Sequence, residues 1–507
     1  MVGGNKGYEV IAAVDLGSNS FRLQVARIVD DQVYPLDNLK EAVRLAAGLS
    51  PQKLLDDDAW ARGLAALGRF GERLRGLPPG AVRAVGTNAL RVAKNAPEFL
   101  VQAEAALGFP IEVIAGREEA RLIYVGVAHT LPDPSKQQLV VDIGGGSTEF
   151  IIGKNLQPLA LESLFMGCVS YSNTYFPLGK VDKKGMAEAE LAARRELQTI
   201  VQQYRDIGWE AAVGSSGTAK ALVDILELNG LSSGGITLDG LEQLRALLLK
   251  AGDPARLELE GMRADRVPVL PGGLAIMLGV FKELGLERMC FSEGALRLGV
   301  LYDLVGRYHH QDLRDATVHQ FMRRYQVEEA QAQRVGDTAA FLLGQILPES
   351  LEAYDTDGRF LRWASDLHEI GISVAHSGYH KHSAYILANA DMPGFSKMDQ
   401  GRLARLVLAH RGKLERVQAL DPNSPDWLLI LSLRLASLLQ RARGGMELPP
   451  VSLKRSARGF TLAADAHWLK ASPLTAASLD DEVRQWSQQG VELRLKAVSV
   501  EVRRAGP

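Results

Sequence analysis

The chain predicts an α/β protein of several parts: a first half in which one α/β opening occurs twice, then a helical stretch, then a small α+β tail. Two aspartate-led, glycine-rich turns, each framed by apolar runs, open segments that begin near residues 10 and 139. Strand signals nearly vanish from about Tyr308 to Gly445, where helical patterns dominate. Alternation returns after Val451, in "VSLKRSARGFTLAAD" and "VELRLKAVSVEVR", on either side of a helical "LDDEVRQWSQQ". A chain of 507 residues holds about three or four domains at roughly 100–200 residues each. The expected divisions are 1–125, 126–307, 308–448 and 449–507.

The first turn reads Val14-Asp15-Leu16-Gly17-Ser18-Asn19-Ser20, between apolar runs Val10 to Val14 and Phe21 to Ile28. The second reads Val141-Asp142-Ile143-Gly144-Gly145-Gly146-Ser147-Thr148, between Leu139 to Val141 and Phe150 to Ile152. Each is strand, tight turn, strand. Glycine admits positive φ and close approach of a ligand. Successive backbone N–H groups in such a turn form a concave anion site. An aspartate at the strand end suits a hard cation such as Mg²⁺. A single turn of this kind is most simply a hairpin. Two, with the aspartate in register, point to a phosphate held from two sides. Neither is a P-loop, because no Gly-x-x-x-x-Gly-Lys-Ser/Thr opens a helix.

Between the turns, Asp56 to Gly76 has helical periodicity and Pro97 to Leu107 reads as a helix with proline in its first turn. Met186 to Ile207 reads as one long helix rich in Glu, Ala and Arg. Gly444-Gly445 and Pro449-Pro450 punctuate the chain before the tail. The tail is mildly basic, with nine Lys/Arg against six Asp/Glu.

The two turns resemble the phosphate-binding loops of the actin, Hsp70 and sugar kinase superfamily, a duplicated ribonuclease-H-like fold. More narrowly, "AAVDLGSNSFRL" and "VVDIGGGSTEFIIG" resemble the exopolyphosphatase and guanosine pentaphosphate phosphohydrolase family. "VGTNALRVAKN", "AGREEARLIYVGVAHT", "VGSSGTAKAL" and "FSEGALRLGVLYD" agree with it. So does "DLHEIGISVAHSGYHKHSAYIL", so the resemblance covers nearly the whole chain. It implies a duplicated ribonuclease-H-like core, a helical domain like those of HD-type phosphohydrolases and a small α+β C-terminal domain.

The resemblance implies Glu119 of "GREEARLIY" as the general base. Glu118 and Glu119 sit where a helix should begin, and its dipole favours acidic residues there. Neighbouring helical side chains point about 100° apart, so one of the two should face the cleft. Phosphoryl transfer asks mainly for a positioned nucleophile, so the expected role of Glu119 is to orient a water and accept its proton late. On this reading Glu118→Gln should be mild. Arg91 resembles the family's phosphate-contacting arginine, whose fork binds two oxygens. Thr87 and Asn88, just before it, read equally as a helix cap. Glu149 resembles an acidic residue near the metal, so the implied Mg²⁺ set is Asp15, Asp142 and Glu149. The implied phosphate set is Gly17, Ser18, Asn19, Ser20, Arg91, Gly144, Gly145, Gly146, Ser147 and Thr148, with Ser216, Gly217, Thr218 and Lys220 of the third loop. A monovalent cation such as K⁺ is a further expected ion. Leu298 departs from the family's signature, which usually carries an acidic residue there.

The helical stretch contains His368, His376, His380, His382 and His410. Histidines in a group can bind metal, but the ligand pair of HD-type enzymes is His368-Glu369 here. A structural cluster or substrate-lining wall is the preferred reading. Cys168 and Cys290 give no disulfide framework and fit a reducing compartment. Cys168 reads as a buried small residue. No apolar run was expected to reach the ~18 residues of a membrane helix, which places the chain in the cytoplasm or peripheral at a membrane. Net charge is −2, so a polyanion would need local basic stripes. Candidates are Arg22, Lys180, Lys183, Lys184, Lys220 and Lys381.

Four functions compete on these residues. The favoured one is exopolyphosphatase. Gly146, Ser292-Glu293 before Gly294, and an intact "HSGYHKHSAY" look more like that branch. The second is guanosine pentaphosphate 5′-phosphohydrolase, with guanosine tetra- and pentaphosphate as ligands. The others are a small-molecule kinase and an actin-like scaffold. A homodimer is expected from the resemblance, with no membrane and no nucleic-acid partner.

Overall fold

A computed structural model describes residues 8–498, except 30–31, 134, 309–311, 348–350, 418–419, 422–423, 444–449 and 457–458, with backbone alone at 307–308 and 351–355. The glycine and proline pairs at 444–445 and 449 lie outside the described residues. The chain forms two compact units, Met1–Asp312 and Leu313–Pro507.

The first unit is built on two sheets. Strands β1 (Val10–Leu16), β2 (Phe21–Val29), β3 (Gln32–Glu41), β4 (Val82–Gly86) and β5 (Ile111–Val113) stand in the order β3-β2-β1-β4-β5. Here β1, β4 and β5 run parallel, and β2 and β3 are antiparallel. Strands β6 (Gln138–Ile143), β7 (Thr148–Lys154), β8 (Gln157–Leu164), β9 (Ala211–Ser215), β10 (Ile236–Thr237) and β11 (Arg288–Phe291) stand in the order β10-β11-β9-β6-β7-β8. Reading β8-β7-β6-β9-β11 gives the same order and directions as the first sheet. The duplicated ribonuclease-H-like core is therefore present, with β10 as an added edge.

Alternation of side chains across a strand explains how the sheets are buried. Ala12, Val14 and Leu16 of β1 enter a core covered by helices Asp57–Leu74 and Ala96–Leu107. Ile11 and Ala13, from the other face, enter a central core with Val140 of β6. Two helices fill that central layer, Gly116–Ala128 and Leu296–Tyr308. Leu139, Val141 and Ile143 of β6 face a further core in the second lobe.

The helix expected over 56–76 runs Asp57–Leu74, capped by Asp56, which accepts from the Ala59 N–H at 2.7 Å. The helix expected from Met186 to Ile207 is two helices, Lys183–Leu197 and Val201–Ile207. At the break the Thr199 hydroxyl donates to the Glu196 carbonyl at 2.8 Å, a local bond that competes with the helical ladder. One apolar run does reach membrane length, contrary to expectation: Val267–Leu284, with mean hydropathy 1.5. Its helix, Leu270–Leu284, is the buried centre of the second lobe's core, which accounts for its composition.

In the second unit six main helices, from Leu313–Arg324 to Asp426–Leu439, precede a three-stranded sheet. That sheet has β12 (Ser452–Ser456), β13 (Gly459–Asp465) and β14 (Glu492–Val498) in sequential order. β13 and β14 are parallel, as the intervening helix Pro473–Gln488 allows. Leu453, Leu462, Trp486 and Leu493 share one core with Leu406 and Leu433. The tail and the helices are thus packed as a single body.

Candidate active site

The two turns meet. A methyl group placed on Gly145 would lie 3.0 Å from Ser18 Cβ and 3.3 Å from the Asn19 nitrogen. One on Gly146 would lie 2.4 Å from Asn88 Oδ1. Such approach is available only to glycine, so the second turn needs its glycines to fit against the first. The Ser18 hydroxyl accepts the Ala89 N–H at 3.2 Å, which ties the first turn to the helix that carries Arg91.

Around this junction lies a cavity of about 280 Å³. Asp15 and Asp142 stand at its head, at the ends of β1 and β6. The turns supply Gly17, Ser18, Asn19, Ser20, Gly144, Gly145 and Ser147, while Ser216, Gly217 and Lys220 come from the third loop. Glu119 and Glu149 add to its acidic part, and Asp224 and Glu293 line it near Lys220. Other sequence candidates do not line it. Gly146 packs on Asn88, the Thr148 hydroxyl donates to Met166 O at 2.5 Å, and that of Thr218 donates to Ile143 O at 2.9 Å. Thr87 lines the cavity and makes no side-chain cap bond. Cys168 is buried at its floor and Cys290 is exposed; both are free thiols.

Glu119 sits in the first turn of helix Gly116–Ala128. Its carboxylate receives Arg91 Nη1 at 2.6 Å, and the same nitrogen reaches the Ile114 carbonyl at 3.1 Å. Arg91 therefore stands behind Glu119 and orients it, and is itself absent from the cavity wall. Glu118 points away into a buried ion network. It accepts a two-armed bond from Arg121 at 2.8 Å on each arm, Arg121 reaches Asp303 at 2.5 Å, and Arg83 joins Asp303 at 2.7 Å and Glu112 at 3.0 Å. The two glutamates thus diverge as the 100° helical step requires. This burial bears on stability rather than on turnover, for which Glu118→Gln was expected to be mild: the change would leave Arg121 short of a buried partner.

Three carboxyls in the cleft are hard to ionise. Burial pushes Asp15 up to about 7, against the pull of Arg297 and Arg22. Burial pushes Asp142 up to about 6, partly offset by the Ser216 hydroxyl, which donates to Oδ1 at 2.6 Å. Glu149 is raised by burial and then by Glu119 and Asp142, although Ser163 donates to it at 2.8 Å. Asp15 Oδ1 is buried with no hydrogen-bond partner. Ser216 holds a left-handed φ of 63°, a strained conformation for a non-glycine residue.

These residues fit a hard divalent cation, which would supply the missing partner of Asp15 and relieve the like charges. Among the described residues no three His, Cys, Asp or Glu side chains form a ready metal cage.

The basic part of the cavity was largely missed in the sequence. Arg22 was a candidate, but Arg263, Arg266 and Arg297 also line the wall with Lys220. Arg297 Nε and Nη1 are buried without partners, and burial lowers its guanidinium to about 10. The Arg266 guanidinium lies against Gly217, where a methyl group would be 2.0 Å from it. No local pattern in "GMRADRVPV" or "EGALRLGV" sets these arginines apart. Lys180, Lys183 and Lys184 are not on this wall, and Lys184 faces Glu188 at 3.9 Å on the surface. In the second unit Lys381 is exposed on helix Tyr379–Asn389. There His368 and His410 are buried, and no three-ligand metal group forms among the described residues.

The Ppx/GppA phosphatase family model matches residues 24–308, and the model for domain III of the same phosphatases matches 313–483. An exopolyphosphatase from Cytophaga hutchinsonii is 26% identical with a TM-score of 0.54, over 59% of this chain and 98% of its own. A Ppx/GppA family member from Aquifex aeolicus is 25% identical with a TM-score of 0.50, over 59% and 99%.

Proposed function

This chain belongs to the Ppx/GppA phosphatase family, hydrolases of phosphoanhydride bonds, and from that premise we propose that it is an exopolyphosphatase removing the terminal phosphate of inorganic polyphosphate. The observation that carries this reading is the cleft wall. Arg22, Arg263, Arg266, Arg297 and Lys220 line it, with Asp224 and Glu293 each 3.4 Å from Lys220 Nζ. Such a wall suits a chain of phosphates, whose oxygens the guanidinium forks can bind in pairs. That the similar Cytophaga hutchinsonii protein is an exopolyphosphatase supports the same choice. Gly146 adds nothing to it, since packing against Asn88 already requires glycine there.

In the proposed reaction the terminal phosphate lies between the turns 17–20 and 144–147, held by their N–H groups. Asp15, Asp142 and Glu149 would hold Mg²⁺, which neutralises charge on the phosphate oxygens when bound. Glu119, braced by Arg91, orients a water toward the terminal phosphorus and accepts its proton. The water oxygen bonds to phosphorus as the bond to the bridging oxygen breaks. Orthophosphate and a chain shorter by one residue result.

The test is phosphate release from long polyphosphate with Mg²⁺ and no acceptor, against release from guanosine pentaphosphate. Faster turnover of the nucleotide would make the chain a guanosine pentaphosphate phosphohydrolase. Glu119→Gln should lower kcat by about 10²–10⁴-fold; near-normal turnover would remove Glu119 from this role.

A further inference from the structure

The second unit encloses a cavity of about 370 Å³, in the size range of small-ligand pockets. Three histidines line it, His376 and the pair His368 and His410, whose ring centres are 5.1 Å apart. Each of that pair points Nδ1 at a backbone carbonyl 2.6 Å away, of Ser365 and Val407. A carbonyl only accepts, so Nδ1 carries the hydrogen and each Nε2 is left as an acceptor. Burial lowers both imidazoles, which keeps them uncharged. Their Nε2 atoms are poorly served: His368 lies 3.9 Å from Glu369, itself an acceptor, and His410 lies 3.4 Å from the Tyr379 hydroxyl.

The charges on the wall do not balance. Glu482 takes the fork of Arg434, Glu369 takes Arg443, and Asp481 takes Arg484. Arg411 and Arg441 remain, and among the described residues neither has a carboxylate within ion-pair distance. Arg411 lies over the Tyr379 ring at 5.2 Å, and that ring is 5.6 Å from His410. One part of the cavity therefore asks for an anion, and another asks for a flat group with N–H donors.

We propose that this cavity binds a nucleoside monophosphate, with its phosphate on Arg411 and Arg441 and its base against Tyr379, donating to His368 and His410. The site is separate from the catalytic cleft and independent of which phosphoanhydride the cleft hydrolyses.

The test is calorimetric titration of the full-length chain with GMP, AMP, inorganic phosphate and tripolyphosphate. One nucleotide should bind per chain. The exposed changes Arg411→Ala and Arg441→Ala should together weaken it by about tenfold or more, whereas Arg266→Ala in the cleft should leave it unchanged. Failure of both nucleotides to bind overturns the proposal, as does loss of binding through Arg266→Ala alone. Tripolyphosphate held by the same two arginines as tightly as the nucleotides would also overturn it, making the cavity a station for phosphate chains.

Discussion

Asp15 shows how a residue can be recognisable by position and still need its surroundings to be understood. The turn identified it, but only burial explains a carboxyl raised to about 7 with a partnerless Oδ1. Its ordinary value is 3.8. Between that and about 7 the folded state binds the extra proton, so stability falls as pH rises through this window and the penalty is complete above it. Asp15→Asn should therefore be more stable than the wild type without Mg²⁺ at pH 8, with the gap closing toward pH 4 in denaturant titrations. Added Mg²⁺ should close the gap at high pH; a gap independent of pH would contradict this. Glu118 carries the opposite lesson. It was read as a bland neighbour of Glu119, yet it is buried in the network with Arg83, Arg121 and Asp303. Removing one partner of a buried ion network costs about 3–5 kcal/mol. Urea unfolding of Glu118→Gln should show a loss on that scale, and a change below about 0.5 kcal/mol would rule out a structural role for the pair.

At the scale of elements, the decisive contact is between helices Gly116–Ala128 and Leu296–Tyr308. The first carries Glu119 and the second Arg297, so their packing sets the proposed general base against the arginines of the wall. They approach through glycines. A methyl on Gly299 would lie 1.7 Å from the Leu122 carbonyl, and one on Gly126 would lie 2.3 Å from that of Ala295. Asp303 then bridges the second helix to Arg121 of the first and to Arg83 of β4. Gly299→Ala must push the helices apart and should cost about 1–3 kcal/mol or more. It should also lower kcat with little change in KM, because Glu119 moves while the loops remain. Unchanged kinetics in a folded Gly299→Ala protein would detach this packing from catalysis. Neither helix announces the contact in its own sequence, since Gly126 and Gly299 read only as weak helix formers.

For the whole molecule, a net charge of −2 gives no general attraction for a polyanion, and the cleft must supply it. Affinity for long polyphosphate should fall steeply as salt rises, by counterion release from the chain, as for other linear polyanions. A binding constant flat between low and physiological salt would exclude an extended basic track. The strand-turn-strand openings, the helical middle and the alternating tail were all readable in the chain, because each is a local pattern of turn chemistry and periodicity. The two turns with Asp15 and Asp142 came from the same kind of signal, whereas Glu119 was singled out by the family resemblance. Tertiary structure alone decided the meeting of Gly145 with Ser18, the pairing of Arg91 with Glu119, the burial of Glu118, and the gathering of Arg263, Arg266 and Arg297 on one wall. Each of these joins residues far apart in the chain, or depends on how much water reaches a charge, and neither quantity is written in a local stretch of sequence.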